Sequence, residues 1–217
     1  MSEEKPKHIV LFGATGMIGS RILKELLARG HTVTVMVRDT SKWQAQSSVS
    51  VAVGDIFHPG DVSQATVGAD VVISAYGPGL DPEAAPKLLG ATNALMAGLR
   101  ESGARRLIVV GGAGSLFVAP GLQLVDAPNF PKEWKAVALA HRDAFNTIRQ
   151  SDLDWTYVSP AAEIAPGERT GKFRIGGDQL LTDTEGHSRI SAEDFAVAVV
   201  DEVEDPQHIR QRFTVAY

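Results

Sequence analysis

The sequence contains no cysteine, which excludes disulfides, thiolate metal sites and a cysteine nucleophile. It also lacks any apolar run close to the roughly 18 residues that a membrane-spanning helix needs, and it begins with a polar segment, so we expect neither a membrane span nor a secretory signal. Positive charge does not predominate, because 21 Lys and Arg residues stand against 26 Asp and Glu residues. Nucleic acid is therefore not an expected partner. These absences predict a cytoplasmic protein that acts on a small molecule.

The residues that are present form the alternating pattern of an α/β protein. The 217 residues suffice for one well-packed domain, and hydrophobic residues make up 44% of them. Apolar, β-branched runs typical of buried strands alternate with segments of helical periodicity. We predict strands at 8–12, 32–37, 49–53, 70–75, 105–110 and 154–158, and helices at 16–29, 61–67, 83–101 and 132–150. This order predicts a single Rossmann-type doubly wound parallel sheet with helices on both faces, formed by one domain that spans residues 1–217.

The last third of the chain departs from this alternation. Residues 159–190, here called the excursion, contain two prolines, five glycines and only short apolar runs, and we expect them to leave the sheet on the substrate side. Ser191 and Asp194 fit a capping box, in which each side chain accepts a hydrogen bond from the other residue's backbone amide. The box predicts a helix over 192–204, and residues 212–217 are typical of a closing strand.

A glycine-rich turn lies between the first predicted strand and the first predicted helix, where a dinucleotide-binding fingerprint belongs. Gly13 would allow the tight turn, Gly16 would let the backbone approach a pyrophosphate, and Gly19 would allow close packing of helix against strand. Backbone amides at the helix N-terminus would then point at the phosphates, where the helix dipole favours anions. A turn without a ligand is the alternative. The predicted phosphate-contacting residues are Gly13, Thr15, Gly16, Met17, Ile18 and Gly19.

The residues after the second strand bear on the choice between NAD and NADP. An NAD enzyme usually places a carboxylate there for the ribose 2′-hydroxyl, whereas arginine suits a 2′-phosphate. Arg38 follows the strand directly, and Asp39 comes next and would point away. Ser41 and Lys42 could also reach a phosphate. We therefore expect NADP rather than NAD, with a solvated pair of Arg38 and Asp39 as the alternative.

Four segments, at 13–19, 109–115, 153–160 and 190–196, resemble one known family when taken in order. They read Gly-Ala-Thr-Gly-Met-Ile-Gly, Val-Val-Gly-Gly-Ala-Gly-Ser, Leu-Asp-Trp-Thr-Tyr-Val-Ser-Pro and Ile-Ser-Ala-Glu-Asp-Phe-Ala. The chain is similar to the atypical short-chain dehydrogenase/reductases of the NAD(P)H-binding, NmrA-like group. Within that group it looks like the NADH-flavin reductases and the relatives of biliverdin-IXβ/flavin reductase. The resemblance covers essentially the whole chain and implies an NAD(P)-binding oxidoreductase.

The resemblance also implies where the rest of the cofactor would lie. The implied contacts come from loops after successive strands: Asp55 and Ile56 beside the adenine, Ala75, Tyr76 and Gly77 along the ribose, Gly111 and Gly112 after the fifth strand, and Ser159, Pro160 and Ala161 near the nicotinamide. Open α/β sheets bind ligands at such carboxyl ends of strands. Turn chemistry is the alternative reason for each of these residues, above all for Asp55.

Catalytic members of the wider superfamily carry a tyrosine and a lysine four residues apart on the helix after the fifth strand. Here the aligned positions hold Trp134 and Ala138, which cannot supply that proton donor, and we expect Trp134 to be core or pocket wall. Ser115 and His141 are the remaining candidates for a catalytic role, as a substrate-bonding hydroxyl and a proton donor. A turn serine and a packed helix histidine are the alternatives. The six histidines share no metal-ligand spacing, so no metal site is expected.

The missing pair favours an acceptor that needs no acid from the protein. A flavin takes a hydride and then a proton from solvent, so the protein mainly supplies proximity and a stacking surface. Residues 111–131, here called the lid segment, are apolar and stiffened by prolines, which suits a flat acceptor. Arg169, Lys172 and Arg174 of the excursion could form the facing wall. We therefore expect NADPH-dependent reduction of a flavin-like substrate. The alternatives are a non-catalytic NAD(P)-binding redox sensor that reports to a protein partner, and a carbonyl reductase or epimerase with a relocated acid.

Overall fold

The computed structural model describes residues 5–43, 48–79 and 81–217, so residues 1–4 of the polar N-terminal segment lie outside it. Its strands are β1 (His8–Phe12), β2 (Thr32–Val37), β3 (Val49–Val53), β4 (Val71–Ser74), β5 (Arg106–Val110), β6 (Phe117–Ala119), β7 (Leu122–Gln123), β8 (Asp154–Ser159), β9 (Glu163–Ala165), β10 (Arg174–Gly176), β11 (Arg189–Ser191) and β12 (Gln211–Ala216). Its helices are α1 (Met17–Ala28), α2 (Pro59–Thr66), α3 (Lys87–Ser102), α4 (Lys132–Ile148) and α5 (Ala192–Glu204).

The main sheet has the order β10-β12-β8-β5-β4-β1-β2-β3. All neighbouring pairs are parallel except the edge pair of β10 and β12, which is antiparallel. The chain order of the strands reverses between β1 and β4, and such a reversal opens a ligand-binding crevice at the carboxyl ends of the strands. The predicted fold class, a Rossmann-type doubly wound sheet, is confirmed.

Helices cover both faces of the sheet and create two apolar layers. Helices α1 and α5 pack together on one face, while α2, α3 and α4 pack on the other. Alternate residues of β1 serve the two layers, because Leu11 contributes to the α1 and α5 layer and Val10 to the opposite one. A strand that is buried on both faces has a continuous run of apolar residues, and β1 can therefore be predicted from the sequence. Within the described ranges, no helix has the length and apolarity that a bilayer crossing requires.

Helix α5 begins where the sequence predicts, but only half of the capping box forms. The Ser191 hydroxyl accepts from the amide of Asp194 at 2.9 Å. The predicted reciprocal bond, from the Ser191 amide to the Asp194 carboxylate, does not form. The Ser191 amide donates instead to the hydroxyl of Tyr217 at 3.2 Å. The buried Asp194 carboxylate accepts from the amides of Thr170 and Gly171, both at 2.8 Å, and from the Tyr217 hydroxyl at 2.9 Å. Asp194 thus holds the excursion and the chain end onto α5.

The lid segment and the excursion contact each other. The lid segment contains the hairpin of β6 and β7, with Gly121 at the turn at a φ of 75°. The amide of Phe117 donates to the carbonyl of Asp178 at 2.9 Å, and the amide of Leu180 donates back to Phe117 at 2.9 Å. In the excursion, β9 and β11 form a small parallel sheet, while β10 extends the main sheet. Both segments therefore rise from the same side of the sheet as one connected layer.

Candidate functional site

A cleft of about 520 Å³ opens at the carboxyl ends of β1, β2, β3 and β4. Its position is the crevice that the reversal of strand order creates. The predicted cofactor residues that line it are Gly13, Thr15, Gly16, Arg38, Asp55, Ile56, Ala75, Tyr76 and Gly77. Sequence reasoning missed two aromatic lining residues, Trp43 and Phe57, because neither belongs to a recognisable motif.

The three fingerprint glycines are required for different reasons. Gly13 has a φ of 80°, and a β-carbon there would lie 2.5 Å from the carbonyl oxygen of Ala75. A β-carbon on Gly19 would lie 2.0 Å from the carbonyl oxygen of Gly13, so the start of α1 packs directly on the turn. At Gly16 the one neighbour is that same oxygen, at 3.3 Å. Packing therefore restricts Gly16 least, and its missing side chain leaves room in the cleft that a phosphate group can use.

The N-terminus of α1 carries the donors that a phosphate needs. Gly16 is the N-cap residue, no side chain caps the first turn, and the first turn has no acidic residue. Within the described part of the chain, the first helical amides have no side-chain cap, and together with the helix dipole they are suited to binding an anion. The Thr15 side chain is exposed beside them. This donor set fits the pyrophosphate of a dinucleotide.

At the end of the cleft beside β2, the guanidinium of Arg38 and the indole of Trp43 are both lining groups. Arg38 is exposed there, whereas the Asp39 carboxylate accepts from the amide of Ser41 at 2.9 Å and caps the short 3₁₀ turn that follows β2. The indole Nε1 of Trp43 is buried and finds no hydrogen-bond partner in the part of the chain that the structure describes. The side chain of Lys42, expected to reach a phosphate, lies outside the described atoms.

Tyr76 lines the cleft, and the charges of both Arg38 and Asp55 act on its hydroxyl. Asp55 accepts from the amide of Phe57 at 3.1 Å, which is the expected turn role, and it lines the cleft as well. The ring of Tyr76 meets Phe57 edge to face at 5.8 Å between centroids. Burial raises the pKa of Tyr76, the charge of Arg38 lowers it, and that of Asp55 raises it. The Tyr76 hydroxyl therefore stays protonated at neutral pH and can donate to a ligand.

The residues expected near the nicotinamide are grouped on the β5 and β8 side. None of these residues lines the 520 Å³ cleft. They are Gly111, Gly112, Ser159, Pro160 and Ala161. A β-carbon on Gly111 would lie 2.0 Å from the ring of Tyr157, so packing alone requires glycine there. The Ser159 hydroxyl is fully buried and donates to the carbonyl of Gly112 at 3.1 Å. These residues shape the wall beside the cleft rather than the cleft itself.

Ser115, one of the two catalytic candidates, is engaged inside the protein. Its side chain is 2% exposed, and its hydroxyl accepts from Nη1 of Arg212 at 2.8 Å. Arg212 also pairs with Asp178 at 2.6 Å and lies over the ring of Phe145 at 4.5 Å. Arg212 thus ties the lid segment to the excursion. No motif indicates this contact, which leaves the Ser115 hydroxyl little freedom to bind an acceptor.

His141, the other catalytic candidate, lies next to the cofactor loops but is uncharged. A β-carbon on Gly77 would lie 3.8 Å from its Nε2, and one on Gly112 would lie 3.2 Å from its ring. Burial lowers the pKa of His141 to about 4. At this pKa, the ring is neutral near pH 7, so the predicted proton donor would not be an imidazolium. A neutral ring can still donate or accept one hydrogen bond.

The shifted pKa of His141 makes stability depend on pH. Between pH 6.5 and 4 the unfolded chain binds a proton at this residue that the folded protein does not, so stability falls as the pH drops through that window. We expect wild type to lose about 2–3 kcal/mol more than His141→Leu between pH 7.5 and 4.5. Urea unfolding of both proteins at both pH values measures this difference. An equal loss in the two proteins would mean that His141 titrates normally when folded.

The basic residues of the excursion do not form the expected facing wall. Arg169 makes a two-pronged pair with Glu25 of α1, at 2.7 and 2.8 Å. Arg174 donates to the carbonyls of Thr182 and Tyr217. Lys172 is exposed. The two arginines are therefore held by the protein, because α1 and the chain end supply acceptors that sequence spacing does not reveal. Among the described residues, no group of three or more His, Asp or Glu side chains could hold a metal ion.

Comparison with known proteins adds a family to this geometry. The profile of the NAD(P)H-binding family matches residues 13–206. A structure from Burkholderia pseudomallei, described as a "putative exported protein", is 52% identical, with a TM-score of 0.89, and covers 97% of this chain and 100% of that one. A "putative epimerase" from Bacteroides thetaiotaomicron is 38% identical, with a TM-score of 0.91 and 98% of each chain covered. A "putative NADH-flavin reductase" from Streptococcus pneumoniae is 34% identical, with a TM-score of 0.85, covering 97% of this chain and 99% of that one.

Proposed function

The chain belongs to the NAD(P)H-binding family of oxidoreductases, and from this premise we propose that it uses NADPH to reduce a flavin or a similarly flat acceptor. The observation that carries the proposal is the state of the two candidate acids. Ser115 is bonded to Arg212 inside the protein, and burial keeps His141 uncharged. Flavin reduction needs no protein acid, because the proton can come from solvent. The similar structure from Streptococcus pneumoniae, which is described as a "putative NADH-flavin reductase", supports the same substrate class.

The residues of the cleft have separate roles in holding the cofactor. The amides at the start of α1 and the Thr15 hydroxyl would bind the pyrophosphate. Arg38 would bind the 2′-phosphate, and Ile56 would cover the adenine. The bound dinucleotide supplies the hydride. The protein then contributes proximity and a fixed orientation. Because this reaction draws on NADPH, we propose that the protein works in the cytoplasm.

Arg38 determines the preference for NADPH in this proposal. We expect Arg38→Ala to weaken NADPH binding by about 1–3 kcal/mol, since a hydrogen bond between charged groups is lost, and to leave NADH binding nearly unchanged. Titration of both cofactors by nucleotide fluorescence measures the effect. Arg100→Ala is the matched control, because this exposed arginine pairs with Asp152 and does not line the cleft. An equal loss of affinity for both cofactors would remove the case for NADP.

The proposed reaction is tested by removing both candidate acids. Ser115→Ala and His141→Phe are expected to retain the wild-type rate of NADPH oxidation with riboflavin to within about threefold, because neither donates a proton. The second candidate is a carbonyl reductase or epimerase, which the similar structure from Bacteroides thetaiotaomicron favours. The rate of such an enzyme would fall by a factor of about 10²–10⁴ when its acid is removed. Such a loss, together with turnover of an aldehyde or sugar, would replace the proposal by that candidate. Unequal binding of oxidised and reduced cofactor without any turnover would instead indicate a sensor.

A further inference from the structure

Helix α4 presents one continuous stripe of side chains to the rest of the protein. Trp134, Ala138, His141, Phe145 and Ile148 recur at spacings of four and three residues, which places them on one face of the helix. Phe145 and Ile148, at the C-terminal end of the stripe, belong to the core layer beneath the sheet. The stripe therefore runs from the core toward the N-terminus of α4, which follows the lid segment at the ligand-binding side of the sheet.

The middle of the stripe contacts the loops of the cofactor site. A β-carbon on Gly114 would lie 2.7 Å from the β-carbon of Ala138. His141 lies against Gly77, a lining residue of the cleft, and against Gly112 after β5. The small residues at these positions let α4 approach the loops closely. One turn beyond Ala138, the next side chain of the stripe is Trp134.

Trp134 ends the stripe without being covered. Its side chain is 44% exposed, although the residues that follow it on the stripe are progressively enclosed. Among the ring contacts of the described residues, none involves Trp134, whereas Phe145 meets both Trp155 and Tyr157. A large apolar ring, one helical turn from the Ala138 contact with Gly114, thus has an open surface and a position fixed by a helix. This is the arrangement on which a planar ring can stack at small entropic cost.

We propose that Trp134 is the stacking platform for the acceptor and thereby selects flat, aromatic electron acceptors over non-planar ones. The inference rests on the proposed function and adds the residue that sets its specificity. The face of the indole pairs with the face of an isoalloxazine or quinone ring, and such stacking tolerates substituents at the ring edge. Trp134 would contact the acceptor without exchanging a proton with it.

The test is an equilibrium titration of riboflavin into the protein saturated with NADP⁺, followed by quenching of flavin fluorescence. Trp134→Leu is expected to raise the dissociation constant for riboflavin about tenfold or more, the effect of losing one stacked ring. Trp134→Phe keeps a ring and is expected to stay within about threefold of wild type. The affinity for NADP⁺ should be unchanged in both variants, which also reports that each is folded.

Steady-state kinetics give an independent readout. Trp134→Leu should raise KM for riboflavin with a smaller effect on kcat, and should leave KM for NADPH unchanged. Equal riboflavin affinity in wild type and Trp134→Leu would overturn the stacking role and leave the flavin reductase intact. A wild-type protein that binds NADPH but neither binds nor reduces riboflavin would overturn the proposed function, and the inference with it.

Discussion

Gly19→Ala is expected to weaken NADPH binding by about a hundredfold or more and to lower the free energy of unfolding by about 1–3 kcal/mol. The added β-carbon, which is bonded directly to the backbone, would lie 2.0 Å from the backbone carbonyl oxygen of Gly13. Neither can rotate away, so α1 must move off the turn that precedes it. That movement displaces the helical amides from the position of the phosphates.

The control for this prediction is Gly60→Ala in α2. A β-carbon at Gly60 would meet nothing within 4 Å, so we expect unchanged NADPH affinity and a stability equal to or slightly above that of wild type. Calorimetric titration measures affinity, and urea unfolding measures stability. Gly19→Ala protein that binds NADPH as tightly as Gly60→Ala would contradict the location of the phosphates at the start of α1.

Replacement of Glu202 by leucine is expected to cost about 3–5 kcal/mol of stability, because it leaves the buried guanidinium of Arg106 without its carboxylate partner. Glu202 is 3% exposed and pairs with Arg106 at 2.7 Å. It also accepts from the hydroxyl of Thr156 at 3.1 Å, from the amide of Gln207 at 3.2 Å and from the amide of His208 at 3.0 Å. Burial lowers the pKa of Arg106 although Glu202 raises it, so the guanidinium already bears a desolvation cost.

Urea unfolding of Glu202→Leu and of Asp152→Asn distinguishes a buried ion pair from an exposed one. Asp152 pairs with Arg100 on the surface, where both side chains are at least half exposed, so the loss of this pair should have little effect on stability. The folded fraction of Glu202→Leu should bind NADPH normally, because none of the residues around Glu202 lines the cleft. Equal costs for the two variants would show that the buried network contributes little.

The sequence predicts those parts of the fold that depend on local pattern. Strands β1 and β2 are apolar runs because both of their faces are buried, and α5 begins at its predicted residue because Ser191 caps it locally. The crevice between β1 and β4 follows from the alternation of strands and helices. Most of the phosphate loop could therefore be placed at the cleft from spacing alone.

Contacts between distant segments could not be predicted. The sequence makes the Ser115 hydroxyl a candidate for substrate binding, whereas in the structure this hydroxyl accepts a hydrogen bond from Arg212, 97 positions away. The Asp194 carboxylate likewise accepts from the amide of Thr170, 24 positions away, rather than from the expected amide of Ser191. The pKa of His141 depends on enclosure by several elements, and no single motif encodes that enclosure.

The central claim is that hydride leaves bound NADPH for a flat acceptor without help from a protein acid. The most direct test is to mix the wild-type protein with NADPH and riboflavin in the absence of oxygen, and to follow the absorbance of NADPH and of oxidised flavin together. The account predicts that both absorbances fall in equal molar amounts, at a rate that saturates with riboflavin and exceeds that of the protein-free mixture. Saturable binding of NADPH with neither absorbance falling faster than in the protein-free mixture would contradict the account and indicate a nucleotide sensor.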